Sequence, residues 1–163
     1  MTLACDAAGN LAGLWFNPQK HHGGAIQGKM TAKDDMPIFA ETKRWLDGYF
    51  AGKNPAINEL PLAPVGGEFR REVWKILCEI PYGGTITYGE IAKEMALGMK
   101  RKSMSAQAVG GAVGHNPISI IIPCHRVLGA NGALTGYAGG LGIKMKLLEL
   151  EGAHWSEKIR TPD

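Results

Sequence analysis

The pattern of apolar and polar positions at the start of the chain predicts two strands, residues 3–7 and 11–16, joined by an Ala8-Gly9-Asn10 turn. Asn17-Pro18 ends the second strand, and the polar, glycine-rich stretch 20–35, with His21-His22-Gly23-Gly24, reads as a loop. Pro37 opens a helix in which Phe39, Thr42/Lys43, Leu46 and Phe50 keep helical spacing, with Trp45 and Tyr49 on a neighbouring stripe. Gly52 and Pro55 close it. Two prolines and two glycines within 60–67 mark the best candidate for a domain boundary. Residues 69–80 form an amphipathic helix through Phe69, Val73, Trp74, Ile76, Leu77 and Ile80, stopped by Pro81-Tyr82-Gly83-Gly84. Thr87-Tyr88-Gly89-Glu90 matches a capping box that opens a helix to about Ala96. A connector, 97–104, carries Lys100-Arg101-Lys102, and Ser105 can cap a further helix to about Gly114. The apolar run 118–122 predicts a short buried strand, Gly129-Ala130-Asn131-Gly132 a turn, and 144–150 a last helix stopped by Gly152. Residues 153–163 read as a loose tail, and no internal repeat is visible.

Composition narrows this picture. A chain of 163 residues, 45% apolar, is long enough for one ordinary domain or two small ones around a real core, and too apolar for disorder. No apolar run approaches the ~20 residues of a membrane span, and the first residues lack the basic and apolar parts of a secretion signal. A cytoplasmic location is therefore expected. Net charge is +3, distributed unevenly: residues 1–65 hold 6 basic and 6 acidic side chains, residues 66–152 hold 10 and 7. The second half is the part suited to a polyanionic partner. Cys5, Cys78 and Cys124 lie far apart with no CxxC pair, which argues against a disulfide framework.

The helix, connector, helix layout over 88–114 resembles a helix-turn-helix. Its second helix is unusual, because Ala106, Ala108, Gly110, Gly111, Ala112 and Gly114 are all small. Each interior glycine costs about 1 kcal/mol of helix stability. Either another surface must approach this backbone closely, or the helix packs tightly inside the protein. Cys5 and Cys78 read as small buried hydrophobes. Cys124 differs, because His125 and Arg126 follow it and both favour a thiolate. Neighbours on a strand face opposite ways. His125 thus reaches the sulfur only if the backbone turns at Pro123-Cys124 or a water bridges the two. On residues alone, Cys124 is either a nucleophile or half of a structural Cys–His pair.

A longer motif bears on that choice. Gly110-Gly111-Ala112-Val113-Gly114-His115-Asn116-Pro117, then Ile121-Ile122-Pro123-Cys124-His125-Arg126-Val127, then Thr135-Gly136-Tyr137-Ala138-Gly139-Gly140, resembles the O6-alkylguanine-DNA alkyltransferases, the methylated-DNA–protein-cysteine methyltransferases. The likeness runs over about 1–152. It implies an α/β protein: a small RNase H-like N-terminal domain, 1–65, and a mainly helical C-terminal domain, 66–152, that holds a helix-turn-helix, with 153–163 as a tail. It implies that Cys124 accepts the alkyl group, that His125 deprotonates the thiol through a water, and that Glu151 orients His125. Glu149 is the rival for the last role, but Glu-Gly is the family ending. Asn116 would tie down the active-site loop, and Tyr88 would donate a proton toward guanine N3. The carbonyls of Cys124 and Val127 would read the exocyclic amine, and the backbone at Ala138, a serine in some relatives, would contact O6.

The implied partner is double-stranded DNA carrying an alkylated guanine, with alkylated thymine left open, flipped out through the minor groove. Ala106, Ala108, Gly110 and Gly111 would lie against sugar and phosphate. Val113, Arg126, Val127, Tyr137 and Gly139 complete the expected DNA- and base-contacting set. The product is a stable thioether, so the protein acts once. No cofactor is implied, and a monomer without membrane contact is expected. Gln107 stands where the family often has an arginine finger, and the connector is several residues longer than usual. Lys100-Arg101-Lys102 either supplies phosphate contacts or forms a solvated loop. Some relatives carry a zinc site; Cys5, His21 and His22 make a poor tetrahedral set, so no metal is expected. A Cys–His hydrolase would need an oxyanion hole that the sequence does not advertise. Non-catalytic relatives replace the cysteine, typically by tryptophan, and methylation-sensing regulators carry an extra domain.

Overall fold

The computed structural model describes residues 1–26 and 28–159, the side chains of 157–159 excepted. It is a mixed helix and strand protein with five α-helices and three two-stranded sheets among those residues. Strands β1 (Thr2–Cys5) and β2 (Leu11–Trp15) pair antiparallel, with Thr2 opposite Trp15 and a register slip between Ala4 and Cys5. The Asp6 carboxylate fixes their turn by accepting from the Ala8 and Asn10 amides. Every residue of β2 is buried. Leu11 bridges Leu62 and Leu14 bridges Ile118, so the hairpin is sutured to distant parts of the chain.

Helix α1 (Pro37–Phe50) buries Ile38, Thr42, Trp45, Leu46 and Tyr49. Phe50, expected on the core face, is 49% exposed. The buried face is therefore the Trp45 and Tyr49 stripe. Those large rings bury most area, and each polar handle finds an acceptor: Trp45 Nε1 donates to the Ala56 carbonyl and the Tyr49 hydroxyl to Glu151.

Helices α2 (Glu68–Glu79), α3 (Tyr88–Gly98) and α4 (Ala106–Gly114) pack on one another. Val73, Leu77, Ile91 and Val109 lie at the junction with no exposed surface. Trp74 ties α2 to α4 through a bond from Nε1 to the Ala112 carbonyl. The α3 start is the expected capping box, with Thr87 accepting from the Glu90 amide and Glu90 accepting from the Thr87 amide. Ser105 caps α4 by accepting from the Ala108 amide.

The second half is completed by short strands of two to four residues. β3 (Ile86–Thr87) runs parallel to β4 (Val127–Leu128), and β5 (Ala133–Leu134) parallel to β6 (Ser156–Ile159). Between them lies α5 (Leu141–Leu150), which starts three residues before the expected position. The expected loose tail is partly ordered, because Ala153 is buried and 156–159 pair with β5. Residues 160–163 lie outside the described residues.

The clearest departure is 118–122, which is a turn and not a strand. Only Ile118 makes a bridge; Ile120 sits at φ 71, and the Ile122 amide returns to the Ile118 carbonyl. The isoleucines are β-branched because they are buried, not because they form a ladder. One hydrophobic cluster contains Leu11, Leu14, Tyr49, Trp74, Ile91, Val109, Ile121 and Cys124, so hairpin, helices and turn share a core.

The hairpin is anchored by Trp15, which folds back over Gly13: a Cβ on Gly13 would lie 1.8 Å from the buried indole ring. Gly13→Ala is therefore expected to destabilise the fold by about 2 kcal/mol, read as a lower urea midpoint with unchanged slope.

Candidate active site

Cys124 sits in a tight turn. Residues Cys124–Arg126 form a single 3-10 turn that follows Pro123, with the Arg126 amide bonded to the Pro123 carbonyl. The turn supplies the change of direction that a strand would forbid, so consecutive side chains enter one buried cluster. Cys124, His125 and Arg126 are 5%, 0% and 6% exposed.

The cysteine opens into a cavity of about 430 Å³. Tyr88, Gly110, Gly111, Val113, Tyr137 and Ala138 line it, so seven of the expected site residues share one pocket. Asn116 holds the floor. Its Nδ2 donates to the Ile122 carbonyl at 2.8 Å and to Cys124 Sγ at 3.1 Å, and its Oδ1 accepts from the Ile118 amide. Burial pushes the Cys124 thiol up; the Asn116 bond and the Lys144 charge pull the other way without cancelling it. Burial likewise raises the Tyr88 phenol. Gly139 packs against Phe16, where a Cβ would come within 2.9 Å of the ring.

Behind the thiol is a buried charge network. His125 Nε2 donates to Glu151 Oε1 at 2.7 Å. A carboxylate only accepts, so Nε2 carries the proton and Nδ1 keeps its lone pair. Nδ1 is buried and has no protein hydrogen-bond partner among the described residues. Burial lowers the His125 pKa despite the neighbouring carboxylate, so the ring is held neutral, with the Nδ1 lone pair available to a proton. Glu151 also takes a paired contact from Arg126, Nε to Oε2 at 2.8 Å and Nη2 to Oε1 at 3.0 Å. The Gly83 amide adds a bond to Oε2 at 3.2 Å. Burial pushes the Glu151 carboxyl up, but the His125 and Arg126 bonds outweigh it and bring the pKa to about 2.

Two expectations need correction or refinement. Arg126, expected to contact DNA or base, is instead buried, paired with Glu151 and donating to the Ile80 carbonyl. A buried carboxylate needs a cation more than the surface does. Val127 is fully buried, and its carbonyl, expected to read the base, already accepts from Lys144 Nζ at 2.5 Å. Gln107, Ala106 and Ala108 do not enter the pocket; they lie exposed at the start of α4.

The small residues of α4 can now be weighed. A Cβ on Gly110 would meet the Tyr88 ring at an ordinary 3.8 Å, and one on Gly111 would meet nothing within 4 Å. Internal packing does not require either glycine. The residues missed by the sequence are Lys144, Lys20, His21, His115, Gly83 and Tyr49. Lys144 has no exposed surface and bonds the Val127 and Thr135 carbonyls, and burial lowers its pKa to about 8. Its signal was position, a lysine between Leu141 and Leu147 on the inner face of α5. Lys20 and His21 reach the pocket from the N-terminal loop. The Lys20 amide bonds the Ala138 carbonyl, and His21 stacks on His115 with ring centres 4.0 Å apart. His22 turns the other way, to Thr2 and Asn17. Among the described residues no group of three or more His, Cys, Asp or Glu is placed to hold a metal ion, and no helix is long and apolar enough to cross a membrane.

Comparison with known proteins gives concordant results. The family model of the 6-O-methylguanine DNA methyltransferase DNA-binding domain matches residues 68–153. A methylated-DNA–protein-cysteine methyltransferase of Methanosarcina acetivorans is 54% identical over 120 residues, 74% of this chain and 73% of that protein. One of the same name from Haemophilus influenzae is 42% identical over 130 residues, 80% of this chain and 70% of that protein. Among solved structures, Mycobacterium tuberculosis OGT in complex with DNA superposes with a TM-score of 0.76 at 41% identity, over 92% of this chain and 84% of that one. An O6-methylguanine DNA methyltransferase from Methanococcus jannaschii gives 0.60 at 28% identity, over 99% and 95%.

The Glu151 network has a consequence for acid stability. A carboxyl whose folded pKa is about 2 against an ordinary 4.5 stabilises the fold by about 3 kcal/mol above pH 5. That contribution drains as pH falls through 4.5 toward 2. Glu151→Gln is therefore expected to be about 3 kcal/mol less stable at pH 7, with the gap to the parent narrowing toward pH 3 in a urea-unfolding series.

Proposed function

The chain belongs to the 6-O-methylguanine DNA methyltransferase family, and from that premise we propose how its residues carry out alkyl transfer. The protein is a methylated-DNA–protein-cysteine methyltransferase that repairs DNA by moving an alkyl group onto a cysteine, and DNA is its partner. The observation that carries the residue-level reading is a single thiol, Cys124, opening into a cavity of about 430 Å³ and backed by a buried, neutral His125 paired with Glu151.

In this reading the lesion is O6-alkylguanine in double-stranded DNA, rotated out of the stack through the minor groove into the cavity. The thiol proton passes from Sγ through a water to His125 Nδ1, and Glu151 steadies the resulting imidazolium. The thiolate attacks the alkyl carbon, the S–C bond forms as the C–O6 bond breaks, and the electron pair leaves with guanine. Tyr88 supplies a proton toward N3. The Cys124 carbonyl and the second lone pair of the Val127 carbonyl read the exocyclic amine, and the backbone at Ala138 meets O6. Tyr137 and Gly139 shape the cavity, and Asn116 holds the loop and donates to the sulfur. The thioether has no group that the site can expel, so each molecule acts once.

Helices α3 and α4 act as a helix-turn-helix, with the bare face of α4 at Ala106, Ala108, Gly110 and Gly111 against the DNA backbone, while Val113 lines the cavity. Gln107 plugs the gap left by the flipped base by hydrogen bonding alone, and Lys100-Arg101-Lys102 contributes charge to phosphate. Residues 1–65, a hairpin and α1 in the described chain, form an abbreviated RNase H-like unit beside the 66–152 domain. The protein works as a cytoplasmic monomer.

Mass spectrometry after mixing with O6-methylguanine duplex DNA tests the core of this reading. The Cys124 peptide is expected to gain one methyl, and Cys124→Ser to gain none; an unmodified Cys124 peptide in the parent protein would sink it. The role of α4 has a separate test. Gly111→Ala is expected to leave the fold as stable or slightly more stable, since alanine favours helix by about 1 kcal/mol. Duplex affinity, measured by fluorescence anisotropy, is expected to weaken about tenfold.

A further inference from the structure

Tyr49 belongs to α1, outside residues 68–153 that the family model matches. Its side chain nevertheless ends inside the charge network. The ring is 1% exposed, and its hydroxyl donates to Glu151 Oε1 at 2.6 Å. That oxygen is the one that holds His125 Nε2. The hydroxyl also stands 3.4 Å from Nε2, a close approach and not a second bond, because both protons are already committed to the carboxylate. The ring is fixed in place, stacked on Trp45 at 5.7 Å and set edge-on to Tyr82 at 6.0 Å and to His125 at 6.5 Å. Burial first, and then the carboxylate, push the phenol far above its usual pKa, so it remains a donor at any working pH.

We propose that Tyr49 is a positioning residue for alkyl transfer, acting through Glu151 to fix the oxygen that orients His125 and to limit the basicity of the imidazole. The proposal rests on the reading of His125 as the base. A phenol donor to a carboxylate is charge-assisted and draws negative charge away from the imidazole. Without it, Glu151 leans more heavily on His125. The other charged groups facing the ring, Arg126 and Lys144, both favour its neutral form, and the titratable or charged groups facing Tyr49 are Glu151, Arg126 and the neutral Tyr82 phenol. His125 accepts the thiol proton only when neutral, so the acid limb of the rate profile follows its pKa. Loss of the phenol raises that pKa, and the limb moves to higher pH.

The test uses the full chain and single-turnover methyl transfer from O6-methylguanine duplex DNA across the pH range. Tyr49→Phe removes only the hydroxyl. The rate constant is expected to fall about tenfold, and the acid limb to rise by up to about one unit, with duplex affinity unchanged. In a Glu151→Gln background, Tyr49→Phe is expected to add no further loss. If Tyr49→Phe unfolds too readily to assay, difluorotyrosine at position 49 serves instead. It keeps the shape, strengthens the donor, and is expected to move the limb to lower pH. A parental rate and limb in Tyr49→Phe, losses that multiply in the double variant, or an unmoved limb with difluorotyrosine overturns the role of Tyr49. Failure of the parent protein to methylate Cys124 overturns the functional reading itself, and this proposal with it.

Discussion

A carboxylate withdrawn from water must find its compensation inside the protein, and Glu151 is the group around which that compensation is built. Arg126 supplies the charge, and the Gly83 amide, the Tyr49 phenol and the His125 ring supply neutral donors. These donors come from α1, from the loop after α2, and from the turn that carries the cysteine. Satisfying one buried anion therefore fixes the mutual placement of three distant segments. Removing any donor leaves part of the charge unpaired, which is costly in a dry interior.

The thiol is held by a second constraint of a different kind. The turn at 118–126 must reverse direction twice within a few residues while every side chain stays buried. Asn116 makes this possible by substituting its amide for the missing strand partners, accepting from one amide and donating to carbonyls and to the sulfur. Lys144 does the same on the far side, closing the Val127 and Thr135 carbonyls. The two side chains stand in for a sheet, and they leave the cysteine facing the cavity.

How much of this was legible in the sequence depended on sequence distance. Cys124 and His125 are neighbours in a motif, and Glu151 lies in a recognisable helix ending, so the family resemblance named all three, and the structure brings them into one buried cluster. The helices α2 to α4 followed from spacing and from their Thr87 and Ser105 caps. Tyr49 could not be connected to Glu151 across 102 residues, and its stripe on α1 lies beside the Phe39, Leu46 and Phe50 spacing that predicts the helix. The run at 118–122 misled for a related reason: β-branched residues report burial as readily as strand. Arg126 was expected in the DNA- and base-contacting set, and nothing local revealed that a buried anion waited for it 25 residues away. The short parallel pairs β3 with β4 and β5 with β6 are contacts of only two to four residues, too brief for periodicity to register.

The burial of Cys124 has a consequence for how such a protein survives until it is needed. A protein that acts once has no way to recover from a wasted reaction. The thiol is 5% exposed, and burial pushes its pKa up, so less of it is held as the reactive thiolate. The same desolvation that disfavours the thiolate acts as a safety catch on that sulfur.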